Sequence, residues 1–226
     1  MRFPFIVGVS QRTVENDSYS ERRDCLSHDW YKLFARILPE VVFFPLPNHP
    51  ARIAEILLKV PIKGVILTGG NDWGEAKDRD QTELKIVQHC LTKGLPLLGV
   101  CRGLQVINKY LGGEIVCDLG VLSNEPHVDV FHSIRIVEPH FVRLNDDKSE
   151  LTVNSFHNQG VRLEGLGIGC EPFAWTKDGV VEGIFCRDKK FVGVQWHPER
   201  ENNAASSFDE KLIRDVFHLG QPGEEE

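Results

Sequence analysis

The sequence predicts an α/β fold, a doubly wound and mainly parallel central sheet with helices on both of its faces. In the first half of the chain, apolar runs of strand length alternate with amphipathic segments of helix length. The second half contains shorter strand-like runs separated by turns, which indicate added antiparallel strands. Neither a repeat nor a low-complexity linker interrupts the 226 residues, so one domain is the economical interpretation.

The alternation in the first half predicts parallel strands that are joined by helical crossovers. The predicted strands are residues 3–9, 41–46, 64–67 and 95–100, and the predicted helices are residues 21–38, 51–59, 80–93 and 104–111. Asp80 is the expected N-cap of the third helix, with Glu83 at the capping-box position.

The second half predicts antiparallel strands that return to the sheet, followed by one helix that closes the domain. These strands are residues 128–137, 153–156, 170–175, 180–186 and 191–195, and the closing helix is residues 204–219. We expect the domain to span residues 1–220 and the acidic residues 221–226 to form a disordered tail.

Composition excludes several classes of function. The formal net charge is −7, whereas a nucleic-acid-binding protein needs a basic face. No apolar run approaches the roughly 20 residues that cross a bilayer, and the N-terminus does not have the pattern of a signal peptide. The cysteines lack CxxC and zinc-finger spacing, which predicts reduced thiols, a cytoplasmic protein and no metal site or cofactor. We assign no role to Cys25, Cys90, Cys117, Cys170 and Cys186.

The most informative segment is the apolar run that ends in Gly99-Val100-Cys101-Arg102-Gly103. A strand that turns sharply into a helix at Gly-x-Cys-x-Gly has the pattern of a nucleophile elbow, with sulfur as the nucleophile. The glycines would leave room for the exposed side chain and its substrate. The N-terminus of the next helix would favour the thiolate. We therefore expect Cys101 to be a nucleophile, against the alternative of a βα turn that holds a cysteine by chance.

A nucleophilic thiol needs a general base and a group that orients the base. His197 follows a second apolar run, where a parallel sheet holds its ligand crevice. Glu199 lies two residues later, so an extended backbone would point both side chains the same way. The carboxylate would fix the imidazole tautomer and leave the other ring nitrogen facing the sulfur. The pattern predicts catalytic roles for both residues, against the alternative of a surface or core histidine.

Two further segments are candidates for binding. The turn after the third strand, Thr68-Gly69-Gly70-Asn71-Asp72, contains glycines that let backbone N–H groups approach a reacting carbonyl. We expect the N–H groups of Gly70 and Arg102 to form an oxyanion hole, with Gly69 beside them. Asn154, Ser155 and His157 form a polar cluster that suits the ends of an amino-acid-like substrate. The alternatives are an ordinary glycine-containing turn and a polar turn.

Taken in order, these blocks resemble the class I glutamine amidotransferase superfamily from residue 6 to about residue 200. The resemblance implies a flavodoxin-like core in one domain of this superfamily. It also implies a catalytic triad of Cys101, His197 and Glu199. Gln105, one turn into the helix of the elbow, would help to hold a glutamyl group.

Within the superfamily, Cys101-Arg102-Gly103 and the block at 153–159 are similar to the γ-glutamyl hydrolase branch, the peptidase C26 group. His157 is followed by Asn158, where that branch often has a second histidine. The N-terminal segment 10–30 and Asn71 look similar to a small bacterial subgroup that removes glutamate from γ-glutamyl-CDP-amidate in capsule synthesis. For such a substrate the candidates to bind phosphate are Arg12, Arg22, Arg23, Arg102 and Arg200, each with a solvated surface charge as the alternative.

The resemblance implies acyl transfer through a glutamyl-thioester that water hydrolyses to release L-glutamate. The expected partner is a small-molecule γ-glutamyl substrate, with no nucleic-acid or membrane partner. Two alternatives stay open: a glutaminase subunit that supplies ammonia to a separate synthetase, and a non-catalytic binding relative. The identity of Arg102 and the missing fused synthetase domain weigh against the first, and the intact triad weighs against the second. The sequence does not identify the leaving group, and whether the chain forms a homo-oligomer stays open.

Overall fold

In a computed structural model the chain forms a nine-stranded mixed sheet with helices on both faces. The structure describes residues 4–121, 126–137, 150–200 and 206–218. In chain order the strands are β1 (Phe5–Ser10), β2 (Arg12–Glu15), β3 (Arg22–Cys25), β4 (Val41–Leu46), β5 (Ile62–Leu67), β6 (Leu97–Val100), β7 (Val128–Ile136), β8 (Glu150–Phe156), β9 (Glu171–Trp175), β10 (Val181–Cys186) and β11 (Phe191–Val194). The α-helices are α1 (His28–Ile37), α2 (Ile53–Lys59), α3 (Lys77–Lys93), α4 (Arg102–Tyr110) and α5 (Ser206–Val216).

The sheet has a parallel half and an antiparallel half that meet at β11. The parallel half has the order β4-β1-β5-β6-β11. Numbered by their own succession along the chain, these strands run 2-1-3-4-5, which is the flavodoxin-like order. The antiparallel half continues from β11 as β10-β9-β7-β8. The predicted fold class is therefore confirmed.

Two apolar layers cover the faces of the sheet, because successive strand residues point to opposite sides. Val7 and Val9 of β1 face the layer that contains the apolar side of α1 and α5. Val65 and Leu67 of β5 face the layer that contains α2, α3 and α4. In α1 the buried residues recur at helical spacing (Trp30, Leu33, Phe34 and Ile37). The central parallel strands β6 and β11 are thus buried on both faces, and their carboxyl ends are free to carry the site.

Two of the predicted helix starts are wrong. The predicted helix 21–38 begins only at His28, because Ser27 caps it by accepting a hydrogen bond from the N–H of Asp29. The residues before it form β3, which pairs with β2 in a separate two-stranded sheet. The predicted helix 80–93 begins at Lys77 with Ala76 at the N-cap, so Asp80 lies inside the helix and does not cap it.

The other predicted elements are present, with ends that differ by a few residues. Parts of the predicted helix 204–219 and the predicted tail 221–226 lie outside the described residues. All six cysteines are free thiols. Among the described residues, no helix combines the length and the apolar character that crossing a membrane requires.

Candidate active site

The elbow places Cys101 between the end of β6 and the start of α4. Its backbone lies at φ +53°, ψ −107°, a conformation that a non-glycine residue adopts only at a cost. The Cys101 N–H is held by the carbonyl of Val194 in the neighbouring strand, at 2.7 Å. As the residue before the first helical position, Cys101 lies at the positive end of the α4 dipole. The predicted strand–turn–helix is therefore confirmed.

The glycines of the elbow are needed for a different reason from the one predicted. A Cβ on Gly99 would lie 2.5 Å from the backbone of Gly103, and a Cβ on Gly103 would lie 2.3 Å from the carbonyl oxygen of Leu67. Their absent side chains therefore let α4 pack directly on β5 and β6. Room for the substrate is not what these two glycines supply.

His197 follows β11, the strand next to β6, and this brings the histidine to the nucleophile. Its Nδ1 lies 2.7 Å from Oε1 of Glu199, which leaves Nε2 to face Cys101. The two residues are joined by a tight turn, closed by a hydrogen bond from the Arg200 N–H to the His197 carbonyl at 3.2 Å. The extended backbone that the spacing predicted is wrong, but the turn brings the same two side chains together.

Electrostatics favour an ion pair between the histidine and the cysteine. Burial alone would lower the pKa of His197, but the negative charges of Glu199 and Cys101, and hydrogen bonds to both, raise that pKa to about 10. The imidazole therefore stays protonated at neutral pH beside the sulfur. A protonated imidazole that contacts a thiolate can donate a proton to a leaving group.

Asn154 holds the histidine by its backbone. Its Oδ1 accepts a hydrogen bond from the His197 N–H at 2.8 Å, and its Nδ2 donates to the His197 carbonyl at 2.9 Å. Ser155, the next residue of β8, donates its hydroxyl proton to the carbonyl of His127. Neither Asn154 nor Ser155 lines the cavity described next. Both predicted substrate-binding residues are thus used by the protein itself.

A cavity of about 310 Å³ opens over Cys101. It is lined by most of the residues that the sequence predicted, namely Arg12, Gly70, Asn71, Cys101, Arg102, Gln105, His157 and His197. Gly69 is not in the lining; a Cβ there would lie 2.7 Å from Cε1 of His197, so this glycine makes room for the imidazole. The cavity also includes Arg200, a predicted candidate to bind phosphate, and three residues that the sequence did not single out as binding residues, Asp72, Glu75 and Phe156.

Arg79, a residue that the sequence analysis missed, organises the glycine turn. Its guanidinium is fully buried and donates to the carbonyls of Thr68, Gly69 and Gly70. In a trans peptide the N–H points away from the carbonyl of the preceding residue. With the Gly69 carbonyl directed at Arg79, the Gly70 N–H points to the opposite side. This is the orientation that an oxyanion hole at the cavity requires.

The charge of Arg79 is balanced inside a larger buried cluster, which we call the arginine cluster: Arg79, Asp80, Glu83 and Arg102. Arg79 Nε is 2.9 Å from Glu83 Oε1. Arg102 reaches Asp80 Oδ1 at 2.7 Å and Glu83 Oε2 at 3.2 Å. Glu83, predicted as a capping residue, is fully buried and serves as the shared partner. Since a polar residue near a helix start is usually a cap, only the tertiary contacts reveal this role.

Two of the five candidate phosphate-binding arginines remain available at the cavity. Arg22 pairs with Asp78 and Arg23 with Glu21, and neither lines the cavity. The side chain of Arg102 belongs to the arginine cluster. Arg12 and Arg200 line the cavity, and neither forms an ion pair with any of the residues that the structure describes. The Arg200 guanidinium lies 4.0 Å above the ring of Phe156.

A chain of glutamine amides also reaches the nucleophile. Gln195 Nε2 lies 3.6 Å from the Cys101 sulfur, and its Oε1 lies 3.4 Å from Gln105 Nε2. Gln105 Nε2 also donates to the carbonyl of Gln159 at 2.9 Å. Gln105 therefore lines the cavity from a fixed position, and its contact with a glutamyl group stays a prediction. Sequence reasoning missed Gln195, which is fully buried in the structure. The available signal was its place directly after an apolar strand, because a glutamine is rarely buried there without a partner.

Comparison with known proteins places this arrangement in a family. The family model described as peptidase C26 matches residues 5–199. A γ-glutamyl-CDP-amidate hydrolase of Campylobacter jejuni is 36% identical over 94% of this chain and 98% of the relative. A γ-glutamyl-γ-aminobutyrate hydrolase of Shigella flexneri is 26% identical over 74% of this chain and 67% of the relative. Among solved structures, the glutaminase domain of Trypanosoma brucei CTP synthase, with bound acivicin, superposes with a TM-score of 0.68 at 15% identity, covering 97% and 96% of the two chains.

Proposed function

The chain belongs to the peptidase C26 family, and we propose that it hydrolyses a γ-glutamyl compound through Cys101 to release L-glutamate. One observation carries the proposal. A protonated His197, oriented by Glu199, contacts the nucleophilic sulfur at the end of a cavity. A non-catalytic relative would have no use for a strained cysteine and a buried ion pair, because both destabilise the fold.

In the proposed reaction the Cys101 thiolate attacks the γ-carbonyl carbon of the substrate. The N–H groups of Gly70 and Arg102 stabilise the oxyanion; the Arg102 N–H, at the first position of α4, has no partner within its helix. His197 then gives its Nε2 proton to the leaving nitrogen as the C–N bond breaks. A glutamyl-thioester remains, and His197 takes a proton from the water that hydrolyses it.

The charges around the cavity favour one orientation of the bound substrate. Asp72 and Glu75 supply carboxylates that suit the α-ammonium group of a glutamyl moiety. Burial and the charge of Glu75 raise the pKa of Asp72, and a bound ammonium group would oppose this shift. Arg12 and Arg200 supply positive charge that suits a phosphate on the leaving group. We therefore propose a phosphate-bearing leaving group, in line with the CDP-amidate named for the Campylobacter relative.

The test is glutamate release from L-glutamine, γ-glutamyl-γ-aminobutyrate and γ-glutamyl-CDP-amidate, with Cys101→Ala as the blank. Cys117→Ser is the matched control, because this thiol is exposed and outside the site. We expect strong turnover of the CDP-amidate, a retained rate in the control, and a loss on the order of 10⁴-fold or more in the blank. Equal rates for wild type and blank would overturn the mechanism. Turnover of glutamine alone would favour the glutaminase alternative.

The leaving-group proposal has a separate test. Arg12→Gln and Arg200→Gln should each raise KM for the CDP-amidate about 10-fold and leave KM for γ-glutamyl-γ-aminobutyrate unchanged, because only the former has phosphates. Arg52→Gln is the control; this arginine is exposed and pairs with Glu55 on α2. Equal changes for both substrates would show that the two arginines do not recognise phosphate.

A further inference from the structure

A second group of buried titratable side chains lies in the antiparallel half of the sheet. His127 precedes β7, His132 lies on β7, His157 follows β8, and Glu182 lies on β10. We call these four residues the histidine cluster. β7 pairs directly with β8, and the N–H of His157 donates to the carbonyl of His127. The sheet thus gathers side chains that are up to 55 residues apart in the chain, from 127 to 182.

Glu182 is the centre of the histidine cluster. It is fully buried, and neither of its carboxylate oxygens has a hydrogen-bond partner among the residues that the structure describes. A buried carboxylate without hydrogen bonds is costly, so natural proteins pair such a group or bind a metal with it. Each histidine of the cluster has a side chain no more than 8% exposed.

Two distances within the histidine cluster match the separation of two ligands on one metal ion. Oε1 of Glu182 lies 3.6 Å from Nε2 of His132 and 3.5 Å from Nε2 of His157. Both distances exceed the ~2.7–3.2 Å of an N–H···O hydrogen bond. Two ligands of a tetrahedral Zn²⁺, each bound at about 2.0–2.1 Å, lie ~3.4 Å apart. The ligand atoms of His127, His132 and Glu182 all lie within 4.8 Å of one another.

We propose that His127, His132 and Glu182 bind a divalent first-row transition cation, with Zn²⁺ as the best fit and with His157 beside the fourth position. Imidazole nitrogens with one carboxylate form a donor set that Zn²⁺ accepts, whereas Mg²⁺ and Ca²⁺ prefer oxygen ligands alone. Asp178 Oδ2 lies 3.7 Å from His127 Nε2, in the place of a carboxylate that orients a metal-bound histidine.

The proposed ion would be structural and would hold one wall of the cavity. It would link the three strands β7, β8 and β10 at the point where Phe156 and His157 turn towards the catalytic cavity. No step of the hydrolysis passes through it. The competing interpretation is a protonated histidine that balances Glu182 without any metal, and the two differ in metal content.

The first experiment uses the wild-type protein without an affinity tag that binds metals. Metal content is measured by mass spectrometry after purification, and again after chelation and titration with Zn²⁺. We expect one equivalent of zinc per chain, and a melting temperature that falls on chelation and returns on addition of Zn²⁺. One equivalent of another first-row divalent cation would also support the site. No bound metal and no shift with added Zn²⁺ would overturn it.

Variants then assign the ligands. Glu182→Gln and His132→Gln should each lose the equivalent of zinc and the Zn²⁺-dependent shift in melting temperature. His89→Gln, a partly exposed histidine on α3 away from the cluster, should keep both. Zinc retained in both ligand variants would exclude this site. If a ligand variant does not fold, wild-type protein loaded with Co²⁺ decides the question, because a tetrahedral site gives visible absorption bands and a protein without the site gives none.

Discussion

Buried charge is arranged differently in the two halves of the sheet. Beside the parallel half, the arginine cluster contains both signs of charge, and its contacts range from 2.7 to 3.2 Å. In the antiparallel half, the histidine cluster surrounds one carboxylate at 3.5 to 3.6 Å, and no lysine or arginine among the described residues pairs with that carboxylate. The first cluster therefore balances its charges by short contacts among its own members, whereas the second has the spacing of the ion site that we propose.

The two clusters also stand in different relations to the nucleophile. The arginine cluster shapes the glycine turn through Arg79, and so controls the oxyanion hole that we propose. The antiparallel half instead holds His197, the base that we propose, because Asn154 of β8 binds its backbone. This difference teaches that the two halves divide the site between them. The parallel half orients the N–H groups of the oxyanion hole that we propose, and the antiparallel half orients His197.

The largest expected effect comes from breaking the arginine cluster. Arg79→Met would leave Glu83 with less compensation and would remove the donor to the carbonyls of the glycine turn. Removing one partner of a buried ion pair costs about 3–5 kcal/mol. We expect that loss in the free energy of unfolding, measured by urea denaturation.

The matched control for this prediction is Arg52→Met, which removes an exposed arginine paired with Glu55 and should change stability by about 0.5 kcal/mol or less. Arg79→Lys keeps the charge without the planar fork, so it should lie between the two. A loss below about 1 kcal/mol in Arg79→Met would show that the arginine cluster does not stabilise the fold.

A sharper comparison with the two clusters comes from one buried carboxylate, that of Asp209. Its hydrogen-bond partner is a neutral side chain and not an opposite charge. Asp209 of α5 is buried and accepts a hydrogen bond from Nε1 of Trp196 at 2.8 Å. Burial raises its pKa from 3.8 to about 7, against the effect of that hydrogen bond. The folded state therefore binds this proton more tightly than the unfolded state does. Stability is lost as the pH rises from about 4 to about 7.

Asp209→Asn should remove this pH dependence, because the amide keeps the acceptor for Trp196 and does not ionise. At about 1.4 kcal/mol per pKa unit, the variant should gain on the order of 2–4 kcal/mol over wild type at pH 8 relative to pH 4. Urea denaturation of both proteins at the two pH values measures the difference. Asp215→Asn, on the same helix and paired with Lys211, is the control. Parallel pH profiles for Asp209→Asn and wild type would contradict the prediction.

The smallest of these effects concerns the contact between the halves. Asn154→Ala removes both hydrogen bonds to the His197 backbone without touching the cavity. A small displacement of a catalytic group can cost up to about 100-fold in rate. We expect kcat on a γ-glutamyl substrate to fall about 10- to 100-fold with KM nearly unchanged. Thr152→Ala, an exposed position on the same strand, should keep its rate. A change in KM alone would instead mean that Asn154 contacts the substrate.

Several features could be predicted from the sequence because they depend on neighbours in the chain. The alternation of strands and helices predicted the parallel half, since short right-handed crossovers leave few other arrangements. The strand–turn–helix at Cys101 and the pair of His197 and Glu199 each lie within a few residues. Backbone geometry and side-chain reach then bring these groups together in almost any fold of this class.

The remaining features depend on contacts between distant segments. Arg79 and Glu83 look like surface or capping residues in the sequence, and only the packing of α3 on the glycine turn buries them. Asn154 was predicted to bind substrate, but it binds the backbone of His197. The sequence does not distinguish an amide that binds a ligand from an amide that binds the protein's own backbone. The histidine cluster combines three strands whose pairing no local pattern specifies.

The sequence by itself thus determined the fold class and identified the candidate nucleophile Cys101 and the candidate base His197, because local propensity and short spacing carry that information. Only the tertiary structure decided which polar residues support the site and which line the cavity. The physical reason is burial. The role of a buried charge or amide depends on the partner that compensates its desolvation, and that partner usually lies far away in the chain.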